Sequence, residues 1–203
     1  SIAEYINFSD FYDGNEDCYE CSQVVVTESI FDDYNNFYVA WIYREDGVLI
    51  NNTVFNPGDN AWSGLQIEYN GSVEMDGCTI YSGNDQAINI YEYANLEMID
   101  IHNTNIAPDG YDDYAVQVGC CANEDMEIDM RGNYWGEALT DEMNEGDNPQ
   151  NISGIYDWWD DNNRPVVNYA GWIGGPGDSG YTADVTLTDG SWNDIGNEYP
   201  AGT

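Results

Sequence analysis

Three aspartates crowd one short loop. Asp109, Asp112 and Asp113 lie in IAPDGYDDY (Ile106 to Tyr114) with no basic residue beside them. Carboxylates at that density repel one another unless a cation is shared, and calcium suits a loop that offers carboxylate and carbonyl oxygens. The only histidine, His102, follows Asp100 by two residues, and Arg131 follows Asp129 by two. Carboxylate, imidazole and guanidinium in short reach are the groups of proton transfer and anion binding. They are equally the groups that neutralise one another on a charged surface. The cysteines add a third chemistry: Cys18 and Cys21 form C-x-x-C in DCYEC, Cys120 and Cys121 are adjacent, and Cys78 stands alone.

The composition limits the partners. The chain has 203 residues, with 39 acidic residues against 3 basic ones and a formal net charge of -36. The basic residues are Arg44, Arg131 and Arg164, and no lysine is present. Such a surface repels nucleic acid and anionic membranes and attracts cations. Hydrophobic residues make up 42% and aromatics 14%, enough apolar surface for a folded core beneath the charge. No apolar run approaches the ~20 residues of a membrane-spanning helix. No leader is visible and the chain starts at Ser1, so a mature, processed chain outside the cell or on its surface is expected. The sequons at Asn7, Asn51, Asn70 and Asn151 add little in an Asn-rich sequence.

A repeat positions these groups. VVVTESIF (Val24–Phe31), VLINNTVF (Val48–Phe55), VEMDGCTI (Val73–Ile80), IDIHNTNI (Ile99–Ile106) and IDMRGNYW (Ile128–Trp135) share one pattern. The first, third and last positions are apolar, and the sixth is small or polar: Ser29, Thr53, Cys78, Thr104 and Asn133. The last positions advance by 24, 25, 26 and 29 residues. Between the motifs run YVAWIY (Tyr38–Tyr43), GLQIEY (Gly64–Tyr69), AINIYEY (Ala87–Tyr93) and AVQV (Ala115–Val118), which alternate as half-buried strands. Short strands at a fixed period predict an all-β coil of parallel strands, about five turns long.

In that register, equivalent residues stack ~4.8 Å apart. The loops after each motif then leave at one corner, and Asp33, Asp59, Asp85 and Asp112 are expected to form a carboxylate column there, joined by Asp109 and Asp113. Unit charges ~5 Å apart repel by ~0.8 kcal/mol in bulk water, and calcium is expected to relieve them. No EF-hand loop or Gly-rich nonapeptide calcium repeat accompanies the column. The second and fourth motif positions point outward, which places Asp76, Asp100, His102, Asp129 and Arg131 on one face. A charge-balancing ladder is the preferred reading of that face.

The pattern resembles the right-handed parallel β-helix repeat of the pectate-lyase-like superfamily. GNYWG (Gly132–Gly136), a polar helix-like stretch, and YDWWDDNNRPVVNYAGW (Tyr156–Trp172) are similar to the closing segment of secreted or surface β-helix proteins. The resemblance covers about residues 20 to 172. It implies, for an enzyme, chemistry on the outward face: Asp76 or Asp100 as acid or base, His102 as proton carrier, Arg131 orienting an anionic sugar, with Asp129 beside them. The glycine-histidine-glycine and paired-aspartate motifs of polygalacturonases are absent, apart from a weak echo in Asp112-Asp113, and only Arg131 is available as the base of a pectate lyase.

Residues 1–23 are read as an N-terminal cap or first turn, 24–172 as the coil with its closing segment, and 173–203 as a Gly-rich linker and tail strand. TADVTLTDG (Thr182–Gly190) alternates as one lone strand with Ala183, Val185 and Leu187 on one face, so it needs a host strand in its own coil or in a neighbour's. Cys78 is expected as a buried free thiol. The other two pairs lie three rungs apart, too far for one tetrahedral metal site, and Ser22 stands where haem attachment needs histidine. Local disulfides Cys18–Cys21 and Cys120–Cys121, or links between stacked subunits, are both open. Two functions follow. One is an acidic, calcium-binding structural or adhesive protein that assembles head to tail with itself or binds a cell-surface glycan, without nucleic acid or membrane insertion. The other is a polysaccharide lyase, glycoside hydrolase or glycan-binding module, with Trp62, Tyr69, Tyr91 and Tyr93 as stacking platforms.

Overall fold

The computed structural model of the chain describes residues 2–3, 6–7, 25–33, 38–43, 47–58, 61–69, 71–91, 94, 96, 99–119, 127–145, 148–174, 186–188 and 191–193. Two short strands open it, β1 (Ile2–Ala3) and β2 (Ile6–Asn7). Strands then follow in threes. The first set is β3 (Val25–Thr27), β4 (Ile30–Asp33) and β5 (Tyr38–Tyr43). The second is β6 (Val48–Asn51), β7 (Val54–Pro57) and β8 (Ser63–Glu68). The third is β9 (Val73–Asp76), β10 (Thr79–Ile80) and β11 (Gln86–Ile90). The fourth is β12 (Ile99–His102), β13 (Asn105–Ile106) and β14 (Tyr114–Val118). After β15 (Glu127–Asp129) come helix α1 (Gly136–Glu145), β16 (Ile155–Tyr156) and β17 (Val166–Asn168).

Strands three apart pair in parallel up to β15, and β16 and β17 join β14 and β15, giving three sheets around one core. The first sheet is β3-β6-β9-β12-β15-β17, the second β1-β4-β7-β10-β13, and the third β2-β5-β8-β11-β14-β16. The chain is therefore an all-β parallel β-solenoid, as the repeat predicts. Its regular coil amounts to about three turns, against the five expected. The end windings are irregular: β1 and β2 contribute two residues each, and α1 occupies part of the last circuit.

Each eight-residue motif is two strands with a corner between them. The fifth motif residue turns that corner in the left-handed region: Glu28 (φ 48°), Asn52 (φ 49°), Gly77 (φ 67°), Asn103 (φ 48°) and Gly132 (φ 72°). Asn and Gly enter this region at least cost, which explains four of the five residues. The sixth residue points inward and satisfies the corner backbone. Ser29, Thr53 and Thr104 donate hydroxyl hydrogen bonds of 2.9–3.0 Å to the carbonyl two residues back. The Cys78 thiol lies 3.5 Å from the Asp76 carbonyl in the same way, and it is a buried free thiol as expected. Asn133 ends the column, donating to Ile101 O (2.6 Å) and Met130 O (2.8 Å) and accepting from Thr104 N (2.9 Å).

The core is a set of stacked columns. Phe31 and Phe55 stack at 5.5 Å, and Ile80, Ile106 and Trp135 continue that column, all buried. Val48, Val73, Ile99 and Ile128 form a second column, and Ile50, Met75, Ile101 and Met130 a third. Each such side chain contributes roughly 1.5–3 kcal/mol by leaving water. Leu139 and Met143 of α1, with Ile152, Ile155, Tyr169 and Trp172, belong to the same core. The helix and the segment after it thus cover the C-terminal end of the coil.

The tail departs from expectation. Thr186–Thr188 (β18) pairs antiparallel with Ser191–Asn193 (β19), with Leu187 and Trp192 in backbone register. The strand is half of a hairpin, not alone. Asp189-Gly190 between the two is a two-residue hairpin signal. Ala183 and Val185 lie outside the described residues.

Candidate functional site

Two outer faces carry functional side chains. On the first sheet, strand pairing aligns Asp76 with His102, and Glu74, Asp100 and Asp129 in one row. The sequence-predicted set of Asp76, Asp100, His102, Asp129 and Arg131 is therefore on one face. Asp76, Asp100 and Asp129 are already engaged. The Asp76 carboxylate accepts from Asn103 Nδ2 at 2.7 Å. His102 pairs through Nε2 with Asp100, and its Nδ1 lies 2.6 Å from the Arg131 carbonyl oxygen. Arg131 forks onto its neighbour, Nε to Asp129 Oδ1 at 2.8 Å and an Nη to Oδ2 at 2.6 Å. Burial pushes the Asp129 carboxyl upward, but the hydrogen bonds and charge of Arg131, helped by His102, outweigh it and hold the group below its ordinary value. These three acids are matched within two residues along the strand or by the next rung. Both ring nitrogens of the histidine face protein atoms.

The third sheet presents a different surface. Its outward row is Trp41, Gln66, Asn89, Gln117 and Tyr156, aligned rung by rung. Beside that row lies an open groove of about 470 Å³ lined by Tyr38, Trp62, Glu68, Asp85, Gln86, Asn89, Tyr91, Asp113 and Gln117. Trp62 and Tyr91 are each 46% exposed. Tyr38 meets Trp62 edge-on at 6.2 Å. The wall carrying Trp62 is fixed by close backbone approach: a Cβ on Gly83 would stand 2.5 Å from the Trp62 carbonyl oxygen. Glu68 accepts from Gln66 Nε2 at 2.8 Å. Gln86 is 95% buried, being 5% exposed, and its Oε1 has no hydrogen-bond partner. Among the residues lining the groove none is cationic. The field is felt by Tyr38, whose phenol is pushed up by burial and then by the neighbouring Glu68, Tyr91 and Asp85.

The acidic corner is distributed differently from the expected column. Gln86 pairs with both Ser63 and Tyr114, so Asp85 stands between Trp62 and Asp113. Asp113 N and Tyr114 N both donate to Asp85 O, at 3.0 and 3.1 Å. Asp113, not Asp112, is the neighbour of Asp85. Asp33 lies in the second sheet opposite Pro57, and Asp59 is outside the described residues. Asp109 lines a separate hollow with Glu137 and Asp141 at the start of α1, and Asp112 is exposed and lines neither hollow. The loops differ in length, so counting from the motif end shifts their register. Among the described residues no group of three or more His, Cys, Asp or Glu side chains is placed to hold a metal ion. Cys18, Cys21, Cys120 and Cys121 lie outside the described residues, as does Tyr93.

The closing segment holds one buried acid that the sequence reading passed over. Asp157 is 2% exposed, and its carboxylate accepts from Val167 N at 2.9 Å and Trp159 N at 3.0 Å. Burial raises its pKa to about 7 despite those two hydrogen bonds, with Asp160 adding repulsion. Arg164 lies 4.5 Å over the Tyr156 ring, binds Asp161 at 3.2 Å and donates to Val118 O.

The groove joins residues that the sequence reading had assigned to two separate sites. Trp62 and Tyr91 were sugar platforms, and Asp85 and Asp113 were cation ligands. Tyr38, Glu68, Gln86, Asn89 and Gln117 were not singled out, although most are outward positions of strands that alternate visibly. Comparison with protein-family models, with characterised proteins and with solved structures returned no match.

Proposed function

We propose that this chain is an adhesive β-solenoid that binds carbohydrate in the groove of the third sheet and does not cleave it. One observation carries the reading: the exposed rings of Trp62 and Tyr91 flank a row of amides and carboxylates, Glu68, Asp85, Gln86, Asn89, Asp113 and Gln117. Aromatic faces stack on the apolar faces of sugar rings, and side-chain oxygens accept from their hydroxyl groups. The first sheet supports the non-catalytic half, because Asp100, His102, Asp129 and Arg131 are paired with one another. A secreted or surface setting, and the resemblance of the Gly132–Trp172 segment to the pectate-lyase-like superfamily, belong to the same proposal. Calcium loading and head-to-tail assembly are not required by it.

The test is titration calorimetry with a panel of neutral oligosaccharides, alongside product analysis of prolonged incubations. Trp62→Ala is expected to weaken binding at least tenfold, and His102→Ala to leave it unchanged. Chain cleavage that disappears in His102→Ala would refute the reading, as would binding indifferent to Trp62→Ala.

A further inference from the structure

We infer that the groove selects amino sugars, glycans with free 2-ammonium groups, over neutral or N-acetylated ones. The inference rests on the carbohydrate-binding reading and narrows its ligand. The lining is asymmetric in charge. Three carboxylates, Glu68, Asp85 and Asp113, come from three successive rungs, and no lining residue carries positive charge. Carboxylates only accept hydrogen bonds. Gln86 lines the same groove, and its Oε1, buried beneath the surface, has no protein partner. Three carboxylates with no cation among the lining residues favour a ligand that donates hydrogen bonds and carries positive charge.

A hydroxyl group donates one hydrogen and also exposes lone pairs to the carboxylates. An ammonium group donates three and exposes none. It also brings positive charge to Asp85 and Asp113, which are neighbours through Asp113 N donating to the Asp85 backbone O at 3.0 Å and have no cationic residue in the groove lining. The exposed rings of Trp62 and Tyr91 serve the same ligand twice, by stacking and by attracting a cation to their faces. An anionic uronic sugar meets the opposite situation and is repelled.

The experiment compares three β-1,4-linked disaccharides of one geometry: glucosamine disaccharide, its di-N-acetyl counterpart, and cellobiose. Binding is measured by calorimetry and by shifts of the Trp62 indole resonance, at low ionic strength and a pH that keeps the amines protonated. The amine form is expected to bind at least tenfold more tightly than the other two. The double variant Asp85→Asn/Asp113→Asn is expected to reduce that preference to within twofold. Glu137→Gln/Asp141→Asn, which removes the same charge from the exposed face of α1, is expected to leave it intact. Equal affinity for all three sugars, dependent on Trp62, would overturn the inference and leave the carbohydrate reading standing. Equal loss of preference in both double variants would overturn it too, because attraction to the net charge alone would then explain the selectivity. Failure of every sugar to bind would overturn both.

Discussion

Asp157 offers the sharpest test of the fold's energetics. Its carboxyl is buried in the segment that closes the coil, where it bridges Trp159 N and Val167 N. The folded pKa is about 7, against an ordinary value of 3.8. A group raised in this way binds its proton more tightly when folded. Its stabilisation is complete below pH 3.8 and is lost as pH rises through about 7. The maximum slope is about 1.36 kcal/mol per pH unit, so between pH 4.5 and pH 8 the loss is roughly 3 kcal/mol. All carboxylates of this acidic chain also repel more as pH rises, so the wild type alone does not isolate the effect. Asp157→Asn removes the titration and keeps the shape, and the difference between the two proteins cancels the shared repulsion. The asparagine amide meets one of the two backbone N–H groups donor to donor, which lowers the variant's stability by roughly 1–3 kcal/mol at every pH. Urea unfolding followed by tryptophan fluorescence should show the wild type's advantage largest near pH 4.5 and shrinking by roughly 3 kcal/mol by pH 8. A difference that stays flat across that range would refute the assignment of the buried titrating group.

Two further outcomes follow from the corners. Asn133→Ala strips partners from Thr104 N, Ile101 O and Met130 O, all at a fully buried site, and should lower stability by roughly 3 kcal/mol or more in urea. Glu28→Asn replaces the one long side chain at the left-handed fifth position, at an exposed site, and should raise stability by about 0.5–1 kcal/mol, measured as a higher melting temperature.

The sequence showed the coil because its apolar positions repeat, and repetition survives changes in loop length. Val48, Val73, Ile99 and Ile128 can be aligned by eye, and they stack. The third side of the coil was hidden inside the eight-residue motif. Asn52, Gly77, Asn103 and Gly132 at its fifth position are the left-handed formers that split it, and that signal was available in the residue types. The acidic corner was not legible by counting. The distance from motif end to the next strand varies, so Asp85 met Asp113 instead of Asp112. The lone-strand reading of the tail overlooked Asp189-Gly190, a local signal stronger than the alternation around it. The buried state of Asp157 had no sequence signal, since an aspartate between two aromatic residues reads as a turn residue whether covered or not.

The distribution of the few basic side chains decides where the negative charge is available to a ligand. His102 and Arg131 sit among the acids of the first sheet and bind Asp100 and Asp129 within their own strands or corner. Arg164 binds Asp161 and covers Tyr156 at the last rung of the third sheet. On the described surface these contacts leave the groove of Glu68, Asp85 and Asp113 without a cationic side chain in its lining. The two outer faces therefore differ in kind. One is a ladder in which Asp76, Asp100 and Asp129 already hold partners, so a polar substrate there would have to displace formed hydrogen bonds. The other is a trough with three carboxylates and no cationic residue in its lining, beside exposed aromatic rings, where a cationic ligand adds contacts without breaking any of those that hold the coil.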